Sequence, residues 1–173
     1  MANLRTFIFG GARSGKSSYA ERLAAQSGKP VRYIATGQAG DGEMAARIAH
    51  HRERRASGWV TIEEPLALGE ALLAAASPER IVLIDCLTLW LTHLLLAEGS
   101  EVFTRERERF LQALQQAAGE VIVVSNEVGM GIVPLGELTR RFVDEAGRLN
   151  QAVAACCERV LWVAAGLPLV LKG

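Results

Sequence analysis

Gly10-Gly11-Ala12-Arg13-Ser14-Gly15-Lys16-Ser17 match the spacing G-x-x-x-x-G-K-[ST] in full. Glycines in this pattern let the backbone curl with its N–H groups facing inward, which makes a nest for an anion. Lys16 brings a point charge to the outer phosphates of a nucleoside triphosphate, and the Ser17 hydroxyl is a ligand for Mg²⁺. The motif follows an apolar run and precedes a helical pattern. A helix starting there adds the positive end of its dipole to the phosphate grip.

Two further groups belong with this loop by position. Asp85 follows the apolar run Ile81-Val82-Leu83-Ile84. It reads either as a carboxylate that holds Mg²⁺ through water or as a cap on the next helix. Ser125-Asn126-Glu127 close the next apolar run. They face the ligand edge of an open sheet or form a plain strand-to-loop turn.

A third constellation lies between residues 41 and 56. Glu43, Arg47, His50 and Arg54 fall at i, i+4, i+7 and i+11, one face of a helix. The charge of the flanking arginines disfavours protonation of His50, and a neutral imidazole is the nucleophilic form. The same arginines suit a phosphate under attack. A solvated charged face with an idle histidine is the competing reading, and His51 serves as well as His50 on these grounds. His93, on an apolar helix, reads as a packed core histidine.

The elements that must position these residues alternate between apolar runs and helical patterns, which predicts an α/β fold with a mostly parallel sheet. Strands are expected at Thr6–Phe9, Val31–Ala35, Trp59–Ile62, Ile81–Ile84, Val121–Val124 and Val160–Ala164, with an edge strand at Leu167–Leu171 where Pro168 is tolerated. Helices are expected at Ser17–Ser27, Asp41–Ala56, Leu66–Ala76, Leu87–Leu96, Phe103–Ala118 and Leu135–Cys157, the last with a break near Gly147. The helix at 87–96 is apolar on most sides, so it packs in the core or against another subunit. No repeat or linker divides the chain, and one domain over 1–173 is expected.

Composition narrows the partners. Lys plus Arg and Asp plus Glu are both 19, so the formal net charge is zero, which argues against broad binding to nucleic acid or to an anionic membrane. The first residues run straight into an apolar strand, so no secretory leader is expected. The most apolar helix falls well short of the roughly 20 residues that a membrane span needs. Cys86, Cys156 and Cys157 lack metal-ligand spacing and read as buried thiols, which fits a reducing cytoplasm.

The strings 10–17, Tyr-Ile-Ala-Thr at 33–36, Met-Ala-Ala-Arg-Ile-Ala-His-His-Arg at 44–52 and Ser-Asn-Glu-Val-Gly-Met-Gly-Ile-Val-Pro at 125–134 together resemble one family. It is the bifunctional adenosylcobinamide kinase / adenosylcobinamide-phosphate guanylyltransferase family of cobalamin biosynthesis. Asp144, Gly147, Arg148 and Asn150 are similar to a later helix of the same family. The resemblance implies a P-loop NTPase fold with a RecA-like core. It implies that ATP or GTP phosphorylates adenosylcobinamide, and that GTP then gives GMP to adenosylcobinamide phosphate through a guanylyl-histidine on His50. Nucleotide contacts would fall on Gly10, Gly11, Ala12, Arg13, Ser14, Gly15, Lys16, Ser17, Ala35, Thr36, Gly37, His51, Arg52, Glu53, Arg54, Glu63 and Asp85. Lys16 would join His50 in catalysis, and Mg²⁺ would sit with Ser17 and Asp85. The family pattern has Ser where this chain has Gly37 and Glu where it has Asp85, so the contacts at those positions differ. A homotrimer is likewise implied. The competing readings are a non-catalytic GTP-binding switch and a plain small-molecule P-loop kinase, neither of which would gain a covalent GMP.

Overall fold

The computed structural model describes residues 4–37 and 58–173. The helix expected over 41–56, with His50, His51, Arg52, Glu53 and Arg54, lies outside the described residues.

The described chain runs β1 (Arg5–Gly10), α1 (Lys16–Gln26), β2 (Val31–Ala35), β3 (Val60–Glu63), α2 (Leu68–Ala75), β4 (Ile81–Asp85) and α3 (Leu87–Leu96). It continues with α4 (Ser100–Gln116), β5 (Glu120–Asn126), α5 (Glu137–Cys156), β6 (Arg159–Ala164) and β7 (Leu167–Lys172). The strands form one sheet in the order β3-β2-β4-β5-β1-β6-β7. The pairings are parallel except β6 with β7, which is antiparallel. The expected mostly parallel α/β architecture is therefore present.

The inner strands are apolar on both sides because both faces are covered. Ile8, Tyr33, Leu83, Ile122, Val124, Leu161 and Val163 point to one face, where they pack with Ala20 and Ala24 of α1. Phe7, Ile34, Val82, Ile84, Val121, Val123 and Val160 point to the other, with α2, α3, α4 and α5 against them. Burial of each such side chain contributes about 1.5–3 kcal/mol.

One open expectation is settled and two change. The helix over 87–96 packs in the core: Leu87, Trp90, Leu91 and Leu94, at i, i+3, i+4 and i+7, are buried. Trp90 packs edge-on to Phe110 and donates its indole N–H to the Leu66 carbonyl at 2.9 Å. His93 lies on the flank of that stripe and is half-buried instead of a core residue. Helix α5 shows no break at Gly147, since its 20 residues are continuous. The cost of one helical glycine, about 1 kcal/mol, is outweighed by the buried stripe Ala146, Leu149 and Val153.

The cysteines are free, with Cys86 and Cys157 buried. Burial pushes their thiols up to about 11 and about 12 respectively. Both are inert protonated thiols at neutral pH, in line with the sequence reading, while Cys156 is only half-buried.

Candidate functional site

The carboxyl ends of the parallel strands gather the candidate residues on one edge of the sheet, where ligands bind in open α/β folds. Register fixes the row. Ala35 pairs with Glu63 on one side and with Asp85 on the other. Gly10 pairs with Asn126, and the Glu127 amide donates to the Gly10 carbonyl at 3.0 Å. Residues 10–17, 35–37, Glu63, Asp85 and 125–127 thus share an edge.

The loop between β1 and α1 owes its shape to backbone constraints. A Cβ on Gly10 would stand 2.2 Å from the Val163 carbonyl oxygen of β6, so no other residue fits without separating the strands. Gly15 takes φ 92° at the start of α1, in the left-handed region that favours glycine. Arg13 also has positive φ, at 55°. The loop is tied inward by the Ser14 amide to the Gly11 carbonyl at 3.3 Å, and the Tyr19 amide reaches the Gly15 carbonyl at 2.9 Å. From outside, the Gly166 amide donates to the Ser14 carbonyl at 2.7 Å. Gly166 and Ala165, with φ 78° and 51°, form the two-residue turn between β6 and β7. The Ser14 hydroxyl is buried with no hydrogen-bond partner among the described residues.

Lys16 turns back over this loop and donates from Nζ to the Gly11 carbonyl at 3.1 Å. It is only 8% exposed, and burial pulls its ammonium below the ordinary value of 10.5, against the opposing effect of Cys86 and Asp85. A desolvated ammonium held beside a curled backbone is a strong phosphate anchor.

Asp85 ends β4. Leu83, two residues earlier, lies in the cluster packed on α1, so strand alternation sends Asp85 to the same face as the start of α1, where Ser17 sits. Helix α3 is capped at Cys86, one residue past Asp85. Ser17 and Asp85 offer a hydroxyl and a carboxylate, hard oxygen donors of the kind Mg²⁺ takes alongside substrate phosphates. Among the described residues there is no cluster of three His, Cys, Asp or Glu that could hold a metal without such phosphates. The donor set fits Mg²⁺ bound with a nucleotide.

Thr36 is fully buried. Its hydroxyl donates to the Cys86 carbonyl at 2.6 Å and accepts the Cys86 amide at 3.0 Å. That pair fastens the end of β2 to the end of β4. At Gly37 an added Cβ would stand 2.8 Å from Cδ1 of Leu89, so a leucine methyl from α3 takes up the room beside this glycine.

Several of these pairings have no linear signature. Tyr33, whose hydroxyl reaches Asp85 at 3.2 Å, reads in the sequence as one more apolar strand residue. Thr88 accepts the Asn126 amide at 2.9 Å, and Asn150 of α5 donates to the Asn126 carbonyl at 3.1 Å. The family-like string at 33–36 includes Tyr33, but its partner Asp85 emerges only once the β2–β4 register is known.

Residues 6–171 match the family described as cobinamide kinase / cobinamide phosphate guanyltransferase. Over 170 residues the chain is 59% identical to the bifunctional adenosylcobalamin biosynthesis protein CobP of Pseudomonas aeruginosa, covering 98% of each chain. It is 41% identical over 178 residues to the bifunctional adenosylcobalamin biosynthesis protein CobU of Escherichia coli, covering 95% of this chain and 98% of that one. In shape it is similar to the RadB recombinase, with a TM-score of 0.52 at 19% identity over 92% of this chain and 73% of that one. The last likeness concerns the fold alone and agrees with the expected RecA-like core.

Proposed function

This chain belongs to the cobinamide kinase / cobinamide phosphate guanyltransferase family, and from that premise we propose that one nucleotide site on its sheet edge serves both transfers. In the first, a hydroxyl of adenosylcobinamide takes the terminal phosphoryl group of ATP or GTP. In the second, adenosylcobinamide phosphate takes GMP from GTP, pyrophosphate leaves, and adenosylcobinamide-GDP is formed.

The observation that carries the reading is the buried Lys16, folded over a backbone nest at the mouth of α1. Phosphoryl transfer needs little covalent chemistry from the protein, so position and charge do most of the catalysis. Inward-facing amides of residues 10–17 and the Lys16 ammonium hold the outer phosphates in the first transfer and the departing pyrophosphate in the second. Mg²⁺, when bound with Ser17 and Asp85, neutralises phosphate charge and orients the chain of phosphates. The polar ends of β2 and β3, at Ala35, Thr36, Gly37 and Glu63, and residues His51, Arg52, Glu53 and Arg54 complete the nucleotide contacts of the proposal.

His50 is the proposed nucleophile of the second transfer. Its uncharged imidazole attacks the α-phosphorus of GTP, the bond to pyrophosphate breaks, and the resulting phosphoramidate hands GMP to the cobinamide phosphate oxygen. Two half-reactions give ping-pong kinetics. Incubation with [α-³²P]GTP should leave label on the denatured wild-type chain and add the mass of one GMP. His50→Asn should carry none. Label retained by that variant would remove His50 from the role, and a wild-type chain that never gains the mass would favour a GTP-binding switch or a plain kinase. A homotrimer in the cytoplasm, with no nucleic-acid partner, completes the proposal. No helix among the described residues is long and apolar enough to cross a membrane.

A further inference from the structure

We infer that Tyr33 is a positioning residue for Asp85: its phenol pins the carboxylate at the phosphate-loop face and thereby sets how tightly the site takes a divalent cation. The inference rests on the reading of Asp85 as the cation-side carboxylate.

The geometry follows from pleat and register. Tyr33 pairs with Leu83, and Ala35 pairs with Asp85, so Asp85 lies on the neighbouring strand two residues beyond the partner of Tyr33. Both side chains stand on the α1 face. Strand side chains lean along the chain, and a tyrosine is long enough to cross two residues in that direction. Its oxygen ends 3.2 Å from Oδ2 of Asp85. An ionised carboxylate only accepts, so the phenol O–H donates.

Tyr33 is 2% exposed, and its ring is fixed among the aliphatic side chains of the α1 face and stacked on Trp59 with centroids 6.4 Å apart. A donor that rigid restricts the carboxylate to one arrangement before any cation arrives. Pre-paid orientation of this kind raises affinity without adding a contact to the ligand.

The test separates the hydroxyl from the ring. Calorimetric titration of Mn²⁺ into protein carrying a stoichiometric non-hydrolysable ATP analogue gives the cation dissociation constant directly. Asp85→Asn should weaken Mn²⁺ markedly. Tyr33→Phe keeps the ring and should weaken it roughly three- to tenfold, the size of one ordinary net hydrogen bond. In the Asp85→Asn background the same Tyr33→Phe change should cost nothing further. Thermal melting run beside each titration establishes that the variants are folded at the temperature used.

Wild-type Mn²⁺ affinity in Tyr33→Phe, with Asp85→Asn impaired, would overturn the positioning role. Equal loss from Tyr33→Phe in both backgrounds would overturn it too, since the phenol would then act elsewhere than through Asp85. Unchanged affinity in Asp85→Asn would instead defeat the reading of Asp85, and the inference with it.

Discussion

Lys16 shows how a single burial can be read as a titration. Desolvation lowers its proton affinity below the ordinary 10.5, with Cys86 and Asp85 pulling the other way. The ammonium is the form that grips phosphate, and bound phosphates raise its proton affinity again. The affinity for ATP should therefore fall on an alkaline limb whose midpoint in the free protein lies below 10.5. ATP is the suitable ligand because adenine does not titrate there. Lys16→Arg, whose guanidinium keeps its proton, should abolish the limb in equilibrium binding measured across pH. The loop's place between β1 and α1 was legible, because its motif is written in consecutive residues. Tyr33 was not, because its partner lies 52 positions along the chain and meets it only through sheet register. The left-handed φ of Arg13 was equally hidden, since no glycine marks it.

At the scale of elements, the end of β5 is gripped from two helices. Thr88 of α3 accepts the Asn126 amide, and Asn150 of α5 donates to the Asn126 carbonyl. The next residue, Glu127, reaches the base of the phosphate loop through its amide. Thr88→Val preserves shape but leaves the partly buried Asn126 amide without its acceptor, a loss of about 1–3 kcal/mol. Differential scanning calorimetry should record a melting temperature lower by several degrees, at roughly 2–4 °C per kcal/mol for a chain of this size. Every strand of the sheet was anticipated to within about two residues, because apolar runs bounded by turns are a strong signal. The ends of helices were harder. Helix α2 starts at Leu68, two residues after the expected Leu66, because the Glu64 carboxylate accepts the amides of Leu66 and Ala67 in a turn. Helix α4 starts at Ser100, three residues before the expected Phe103, directly after Gly99 with φ 95°.

For the whole molecule, the sequence left open whether the apolar stripe over 87–96 meets the core or a partner copy. The stripe over 87–96 is spent on the core. Large apolar side chains are exposed instead after β5, where Ile132 is 99% and Leu135 97% exposed, and along the edge strand at Leu167, Leu169, Val170 and Leu171. If the proposed trimer forms through these surfaces, light scattering should give three times the 18.6 kDa chain mass, and Ile132→Asp with Leu135→Asp should lower it. A wild-type mass of one chain would end that proposal. Composition could not locate the patch, because the same apolar residue types serve core and surface alike, and only the packing of α3 against α5 and β5 tells them apart.

The phosphate loop and the turn that latches it through Gly166 stand about 150 positions apart in the sequence, and β1 lies between β5 and β6 in the sheet. A ribosome therefore makes the nucleotide grip well before it supplies either flanking strand or the latch. More than a hundred residues separate β1 from β5, its first neighbour to be made, so the loop is held only by contacts that arrive long after it.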